Sequence, residues 1–117
     1  MACAFCNLDC SIYLAENEYF FAIWDKYPVS KGHTLIISKR HIPDFFALTN
    51  EELIALHSIT ITVQKMLDDK YKPQGYNLAM NCGSAAGQSI PHFHLHIIPR
   101  FHKDGKNIFK RSRESIF

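Results

Sequence analysis

The stretch His92-Phe93-His94-Leu95-His96-Ile97-Ile98 constrains the fold more than any other part of this chain. Imidazole and apolar side chains alternate there with the period of a β-strand, whose successive side chains point to opposite faces. Read as a strand, it projects all three imidazoles from one side and buries Phe93, Leu95 and Ile97 on the other. Histidine titrates near neutral pH, so such a row is chemically potent as well as structurally demanding. The plain alternative is an exposed polar strand face that happens to be rich in histidine. A single metal held by the whole row is opposed by the strand rise, which sets the Cα atoms of His92 and His96 roughly 13 Å apart.

The rest of the chain supplies partners for that strand. Residues 19–24 are aromatic and β-branched between polar, turn-prone neighbours, and read as a strand. Residues 32–38 and 76–81 read as two more, with the small-residue loop 82–89 leading into the histidine row. Thr49-Asn50-Glu51-Glu52 is a capping box, in which the threonine hydroxyl accepts an amide N–H and Glu52 reaches back. Leu53, Leu56, Thr60, Val63 and Leu67 then recur at helical spacing to about Lys70, before Pro73 and Gly75. Residues 58–63 alone alternate Ile and Thr and would suit a strand; the cap, the length and the breakers decide for helix. Ile54, Ile59, Ile61 and Met66 add apolar surface outside the first stripe. Such a helix buries two sides, against the sheet and a partner subunit, or presents one broad face to its own core. Strands, one long helix, then strands make an α+β protein with an antiparallel sheet.

At 117 residues one domain spanning residues 1–117 is expected. Hydrophobic residues at 47% and charged residues at 21% place the chain among ordinary globular proteins and exclude a disordered one. A formal charge of +2 gives no footprint for nucleic acid, and Lys110-Arg111-Ser112-Arg113 reads as a solvated end. No apolar run is long enough to span a membrane and no basic-then-apolar leader opens the chain. A cytoplasmic protein is expected. In that compartment Cys3-x-x-Cys6 reads as metal or redox chemistry rather than a structural disulfide. Cys10 and Cys82 carry no assigned role.

Candidate chemistry follows from residue types. A neutral imidazole is a good nucleophile toward phosphorus, and covalent catalysis divides one hard displacement into two easier ones. His94 has a neighbour on either side, which nominates it as the nucleophile. The loop Gly83-Ser84-Ala85-Ala86-Gly87-Gln88-Ser89 lets backbone N–H groups approach an anion closely. Taken alone it would be a plain connection; beside the histidine row it reads as a phosphate cradle, with the Ser89 hydroxyl a further donor. Asp25 taken alone is a turn residue, and a single histidine such as His33 is usually a satisfied structural group. Two thiolates need two further ligands for a closed tetrahedral zinc site.

His-x-His-x-His followed by Ile97-Ile98-Pro99-Arg100 and preceded by Gly87-Gln88-Ser89 resembles the motif of the histidine triad (HIT) family of nucleotide hydrolases and transferases. The similarity extends back through Lys31-Gly32-His33-Thr34-Leu35-Ile36-Ile37 and Asp25, covering roughly residues 3–101 and leaving 102–117 as a tail. It implies a HIT-like fold with one long helix, short flanking helices, and a homodimer whose sheets join edge to edge. It also implies a nucleotidyl-histidine intermediate on His94 at the α-phosphate, which water hydrolyses, with His96 contacting phosphate and handling charge and protons. Asp25 would grip the ribose hydroxyls with Ile23 and Lys26 near the base, and Asn81, Gly87, Gln88 and Ser89 would surround the phosphate. His33 would support the site. Members with this cysteine pair resemble a layout in which Cys3, Cys6, His41 and His92 hold a structural zinc, and no catalytic metal is required. The segment between Cys6 and Glu16 is shorter than in many members, and the tail after Arg100 matches no pattern.

The resulting expectation is a hydrolase or nucleotidyl transferase. It would cleave phosphorus–nitrogen or phosphoanhydride bonds in purine nucleotides such as AMP conjugates, either adenosine phosphoramidates or dinucleoside polyphosphates. The alternatives are a nucleotide-binding adaptor with incidental slow hydrolysis and a zinc-binding structural module without turnover.

Overall fold

A computed structural model of the chain describes residues 3–105. Its elements in chain order are β1 (Ala15–Glu16), β2 (Phe20–Trp24), β3 (Thr34–Ser38), α1 (Asn50–Tyr71), β4 (Gly75–Ala79) and β5 (His94–Arg100). Short 3-10 turns lie at Cys10–Ile12, Phe45–Ala47 and Ser84–Ala86. The strands form one antiparallel sheet in the order β1-β2-β3-β5-β4, so the protein is α+β as its sequence predicts. Among the described residues no helix is long and apolar enough to cross a membrane. The basic stretch 110–113 lies outside the described residues.

Alternation along β5 sorts the molecule into two sides. Leu95 and Ile97 join Phe93, Phe20, Ala22 and Ile36 beneath Leu56, Ile59, Val63 and Leu67 of α1, forming the larger core. On the other face Phe21, Ile23, Leu35 and Ile37 form a smaller cluster, covered by Phe5, Leu8 and Tyr13 from the N-terminal segment. The β3–β5 register sets His96 opposite Leu35 and His94 opposite Ile37, so both imidazoles emerge beside that smaller cluster.

The histidine row needs one correction. β5 begins at His94, and His92 precedes the strand. The His92 N–H bonds to Ile90 O and the Phe93 N–H to Ile42 O, which bends the chain off the ladder. Other boundaries shift for similar reasons. β4 starts at Gly75, because Gly75 pairs with Arg100, and stops before Asn81. The two-residue β1 is too short for any periodicity to reveal; Asn17 Oδ1 makes its turn by accepting the Tyr19 and Phe20 N–H groups.

The helix keeps its expected start and buries Leu56, Val63 and Leu67 of the expected stripe, but not Leu53 or Thr60. Thr49 Oγ1 accepts the Glu52 N–H at 3.1 Å while Glu52 Oε1 accepts the Thr49 N–H at 2.8 Å, completing the capping box. The buried stripe, however, is Glu52, Leu56, Ile59, Val63 and Leu67. Leu53 is 44% exposed and Ile54 73% exposed, while Thr60 turns its hydroxyl back onto Leu56 O. The face is phased by Glu52, a residue no hydrophobic count selects. Its carboxylate lies buried on the Arg40 guanidinium, at 2.7 and 3.1 Å.

The Arg40 contact, outweighing burial, holds the Glu52 pKa down to about 2. A depressed carboxylate stabilises the fold fully above its unfolded value and loses that contribution as pH falls through the folded one. Glu52→Gln is therefore expected to cost roughly 2–3 kcal/mol at pH 7, after allowing for the exposed side of Arg40. Denaturant titrations of both proteins should show the gap narrowing between pH 4.5 and about 2; a gap independent of pH would show that packing, not charge, is lost.

Candidate functional site

A cavity of about 680 Å³ opens on the side of the sheet away from α1. Ile23, Trp24, Asp25, Lys26 and Tyr27 at the end of β2 form one wall, and His94 and His96 of β5 form the floor with Leu35. Asn81, Gly87, Ser89 and Ile90 close the opposite end, while Ala4, Phe5 and Leu8 complete the enclosure. The candidate nucleotide residues thus meet in one place, with one exception. The Gln88 side chain is directed into its own loop, where Oε1 accepts the Gly83 N–H and Nε2 donates to Pro43 O. Gly87 caps the Ser84–Ala86 turn at φ +94°, a left-handed conformation that side-chain-bearing residues rarely adopt.

Backbone partners assign the protonation of each imidazole. His94 Nδ1 lies 2.8 Å from His92 O, and a carbonyl only accepts, so Nδ1 carries the proton and the Nε2 lone pair is left free. His33 is set the opposite way. Its Nδ1 accepts the Val29 N–H at 3.0 Å, so the proton sits on Nε2, which lies 2.9 Å from His96 Nδ1 and 3.2 Å from Asp25 Oδ2. His96 Nδ1 therefore acts as acceptor and its Nε2 keeps the proton. Burial, followed by the neighbouring His94 and His33 rings, pushes the His96 pKa down to about 4, against the pull of Asp25. Burial likewise lowers His33, again opposed by Asp25. As neutral rings the two imidazoles on the cavity floor present one acceptor, His94 Nε2, and one donor, His96 Nε2–H.

Asp25 has two attachments beyond the turn expected of it. Oδ1 accepts the Tyr27 N–H at 2.8 Å, while Oδ2 faces His33 and His96 at 3.2 and 3.7 Å. The Asp25, His33 and His96 atoms are close enough to resemble a metal triad. The tautomer argues otherwise, because a metal on His33 Nε2 would need that proton removed while Nδ1 still accepts from Val29. A metal-bound histidine normally donates its second nitrogen's proton. The trio is a hydrogen-bonded relay.

The second cluster has the right protonation for a metal. Cys3 Sγ, Cys6 Sγ, His41 Nδ1 and His92 Nδ1 lie 2.8–3.6 Å apart in all six pairings. Four mutually near-equidistant donors are the corners of a tetrahedron, and two sulfurs with two imidazole nitrogens form a set that zinc favours. His92 Nε2 lies 2.7 Å from Ser38 O, which fixes its proton there and leaves Nδ1 free as a ligand. The residues present fit a closed, structural zinc site.

A HIT domain family model matches residues 9–103. The chain belongs to the HIT family. It is 36% identical over 122 residues to an uncharacterised HIT-like protein of Mycoplasma genitalium, spanning 98% of this chain and 86% of that one. Among solved HIT structures, it resembles a hypothetical histidine triad nucleotide-binding protein from Sulfolobus tokodaii at TM-score 0.73 and 39% identity, over 85% and 68% of the two chains. A zinc-bound histidine triad family protein from Mycobacterium smegmatis is similar at TM-score 0.75 and 32% identity, over 83% and 70%.

Within this HIT protein the residues that sequence reasoning missed are Ala4, Phe5, Leu8, Trp24, Tyr27, Leu35 and Ile90. Phe5 was open to inference. It lies between the two cysteines, so bringing Cys3 and Cys6 to His92 carries its ring to the histidine row, 5.0 Å from His94 and 5.8 Å from His92. The Val29–His33 bond had no sequence signal, since it depends on the path of the loop before β3.

Proposed function

We propose that this protein is a nucleotidyl hydrolase or transferase acting on AMP conjugates, adenosine phosphoramidates or dinucleoside polyphosphates, through a covalent intermediate on His94. The observation that carries this reading is the tautomer pair on the cavity floor, with a free lone pair on His94 Nε2 beside a proton on His96 Nε2. In the first step His94 Nε2 bonds to the α-phosphorus as the bond from phosphorus to the leaving nitrogen or oxygen breaks. The neutral His96 donates a hydrogen bond from Nε2–H to the departing atom as charge develops there, and the departing group takes its proton from solvent. Positive charge developing on the His94 ring is stabilised through Nδ1–H by the His92 carbonyl. Water then displaces the histidine and loses its proton to solvent, and the His94 Nε2 lone pair is restored. Ser89, Asn81 and the Gly87 backbone lie at the end of the cavity suited to phosphate, and the apolar Ile23 side suits a base.

The test is a panel of adenosine phosphoramidate, dinucleoside polyphosphates and AMP esters, combined with acid-quenched mass spectrometry. Turnover with an adenylyl adduct on His94 supports the reading. Tight AMP binding with no turnover on any member favours the adaptor instead.

Zinc on Cys3, Cys6, His41 and His92 would supply cross-linking of the N-terminal segment to the sheet, with no part in the bond-making steps. A homodimer joined along the edge strand β4 is supported by Leu78, 52% exposed on that edge, and by the uncovered Leu53 and Ile54.

Asp25 is assigned to the ribose hydroxyls. Asp25→Ala should then weaken AMP binding, and wild type should bind 2′-deoxy-AMP on the order of tenfold less tightly than AMP. Equal affinity for the two nucleotides by calorimetry would leave Asp25 as a turn and relay residue alone.

A further inference from the structure

The segment from Cys3 to Tyr13 is held to the sheet in an unusual way. Its backbone hydrogen bonds among the described residues are short-range: Cys6 N–H to Cys3 O, Ile12 N–H to Asp9 O, and Tyr13 N–H to Cys10 O. The Leu14 N–H is the first to reach the sheet, on Ala22 O at 2.7 Å. Before that point the attachments are the thiols of Cys3 and Cys6, in the cluster with His41 and His92, and the packing of Phe5, Leu8 and Tyr13. That segment is also a wall of the cavity, through Ala4, Phe5 and Leu8. One clasp therefore secures one side of the pocket.

The clasp has the geometry of a redox pair. The two sulfurs lie 2.8 Å apart across a turn closed by the Cys6 N–H, and Cys6 is exposed while Cys3 is half-buried. Sulfurs already in contact need only a small rotation to reach bonding distance.

We propose that Cys3 and Cys6 form a reversible oxidation site, at which a peroxide converts the dithiol to a disulfide and so loosens the nucleotide pocket. Cys3 pushes the pKa of the free Cys6 thiol beside it up, so the reacting form is the thiolate that zinc ligation would supply; it attacks a peroxide oxygen and the O–O bond breaks, giving a sulfenic acid on Cys6 and one hydroxide. The Cys3 thiolate then attacks the Cys6 sulfur, the S–S bond forms, and the second hydroxide leaves. Two electrons pass from the sulfurs to hydrogen peroxide, and two protons from solvent complete two waters. A disulfide sulfur is no longer a thiolate ligand, so two of the four zinc donors are lost together. Phe5 is then held against His94 by packing alone, and the wall it carries loosens. The consequence for binding rests on the nucleotide reading above; the clasp itself does not.

The experiment uses the full chain, reduced and zinc-loaded, with and without stoichiometric hydrogen peroxide. Released zinc is followed with a chromogenic chelator and the disulfide by mass spectrometry after alkylation. Amide exchange of residues 4–13 and AMP affinity by calorimetry report on the wall. Expected are about one zinc released per chain, a Cys3–Cys6 disulfide, and faster exchange in residues 4–13. The AMP Kd should rise on the order of tenfold, and thiol reductant with zinc should reverse every change. Phe5→Ala, kept reduced, should reproduce the affinity loss with zinc retained. Zinc release and disulfide formation with unchanged exchange would overturn the proposal, as would peroxide consumption by Cys10 or Cys82 with the Cys3 and Cys6 thiols intact. If the reduced, zinc-loaded protein fails to bind AMP, the nucleotide reading fails, and exchange in residues 4–13 alone decides the clasp.

Discussion

His94→Ala is expected to lower turnover of AMP conjugates by about a thousandfold or more, while AMP binding changes little. The group removed would form its bond to phosphorus only as the reaction proceeds, so the loss falls on kcat rather than on ground-state affinity. His94→Asn tests the same step with a side chain closer in size. Neither variant should yield a nucleotidyl adduct on quenching. A variant that keeps full activity would show that the free Nε2 beside His96 is not the nucleophile. The neighbouring donor predicts a pH signature as well. Because burial and the adjacent rings hold the His96 pKa to about 4, the wild-type donor stays neutral through the physiological range. The same depressed value makes the fold lose stability as pH drops from 6.5 toward 4, where an unfolded histidine binds a proton and His96 does not.

Chelation should separate fold from chemistry. Stripping a zinc held by Cys3, Cys6, His41 and His92 is expected to lower the melting temperature by about 10 °C or more, since the metal joins the N-terminal segment to the β3 and β5 strands' ends. The kcat at saturating substrate should stay within about twofold, because no step at phosphorus passes through the metal. KM is expected to rise as the Phe5 wall loosens. Calorimetric scans and steady-state kinetics on the same chelated sample check all three. Loss of kcat with the melting temperature unchanged would reverse the assignment and make the metal catalytic.

How much of this was legible beforehand depended on the range of the interaction. The Thr49–Glu52 capping box is three residues wide and reads directly from the chain, and so does the alternation that sends Leu95 one way and His94 and His96 the other. Helical spacing fails to give the buried stripe at Leu53 and Thr60, because its phase follows Glu52, and Glu52 is buried by Arg40 from outside the helix. Alternation continues through His92 and so extends the apparent strand by two residues. The departure of His92 from the ladder is set by the Phe93 N–H bond to Ile42 O, which lies far away along the chain.

Sequence alone determined the chemistry available: which imidazoles share a face, which small residues can approach an anion, and which thiols can bind a metal. These follow from side-chain type and from periodicities of two and 3.6 residues, which act over a few positions. Tertiary structure decided what those groups can do. His33 meets His96 across 63 positions because the sheet places β3 beside β5, and Cys3 meets His92 across 89 because the N-terminal segment packs on that sheet's face. The protons were decided there too. Val29 N–H fixes His33, the His92 carbonyl fixes His94, and the Ser38 carbonyl fixes His92, so that donor, acceptor and metal ligand are each set by backbone groups. No residue type encodes that choice, because an imidazole's tautomer depends on the partner that a folded chain brings to it.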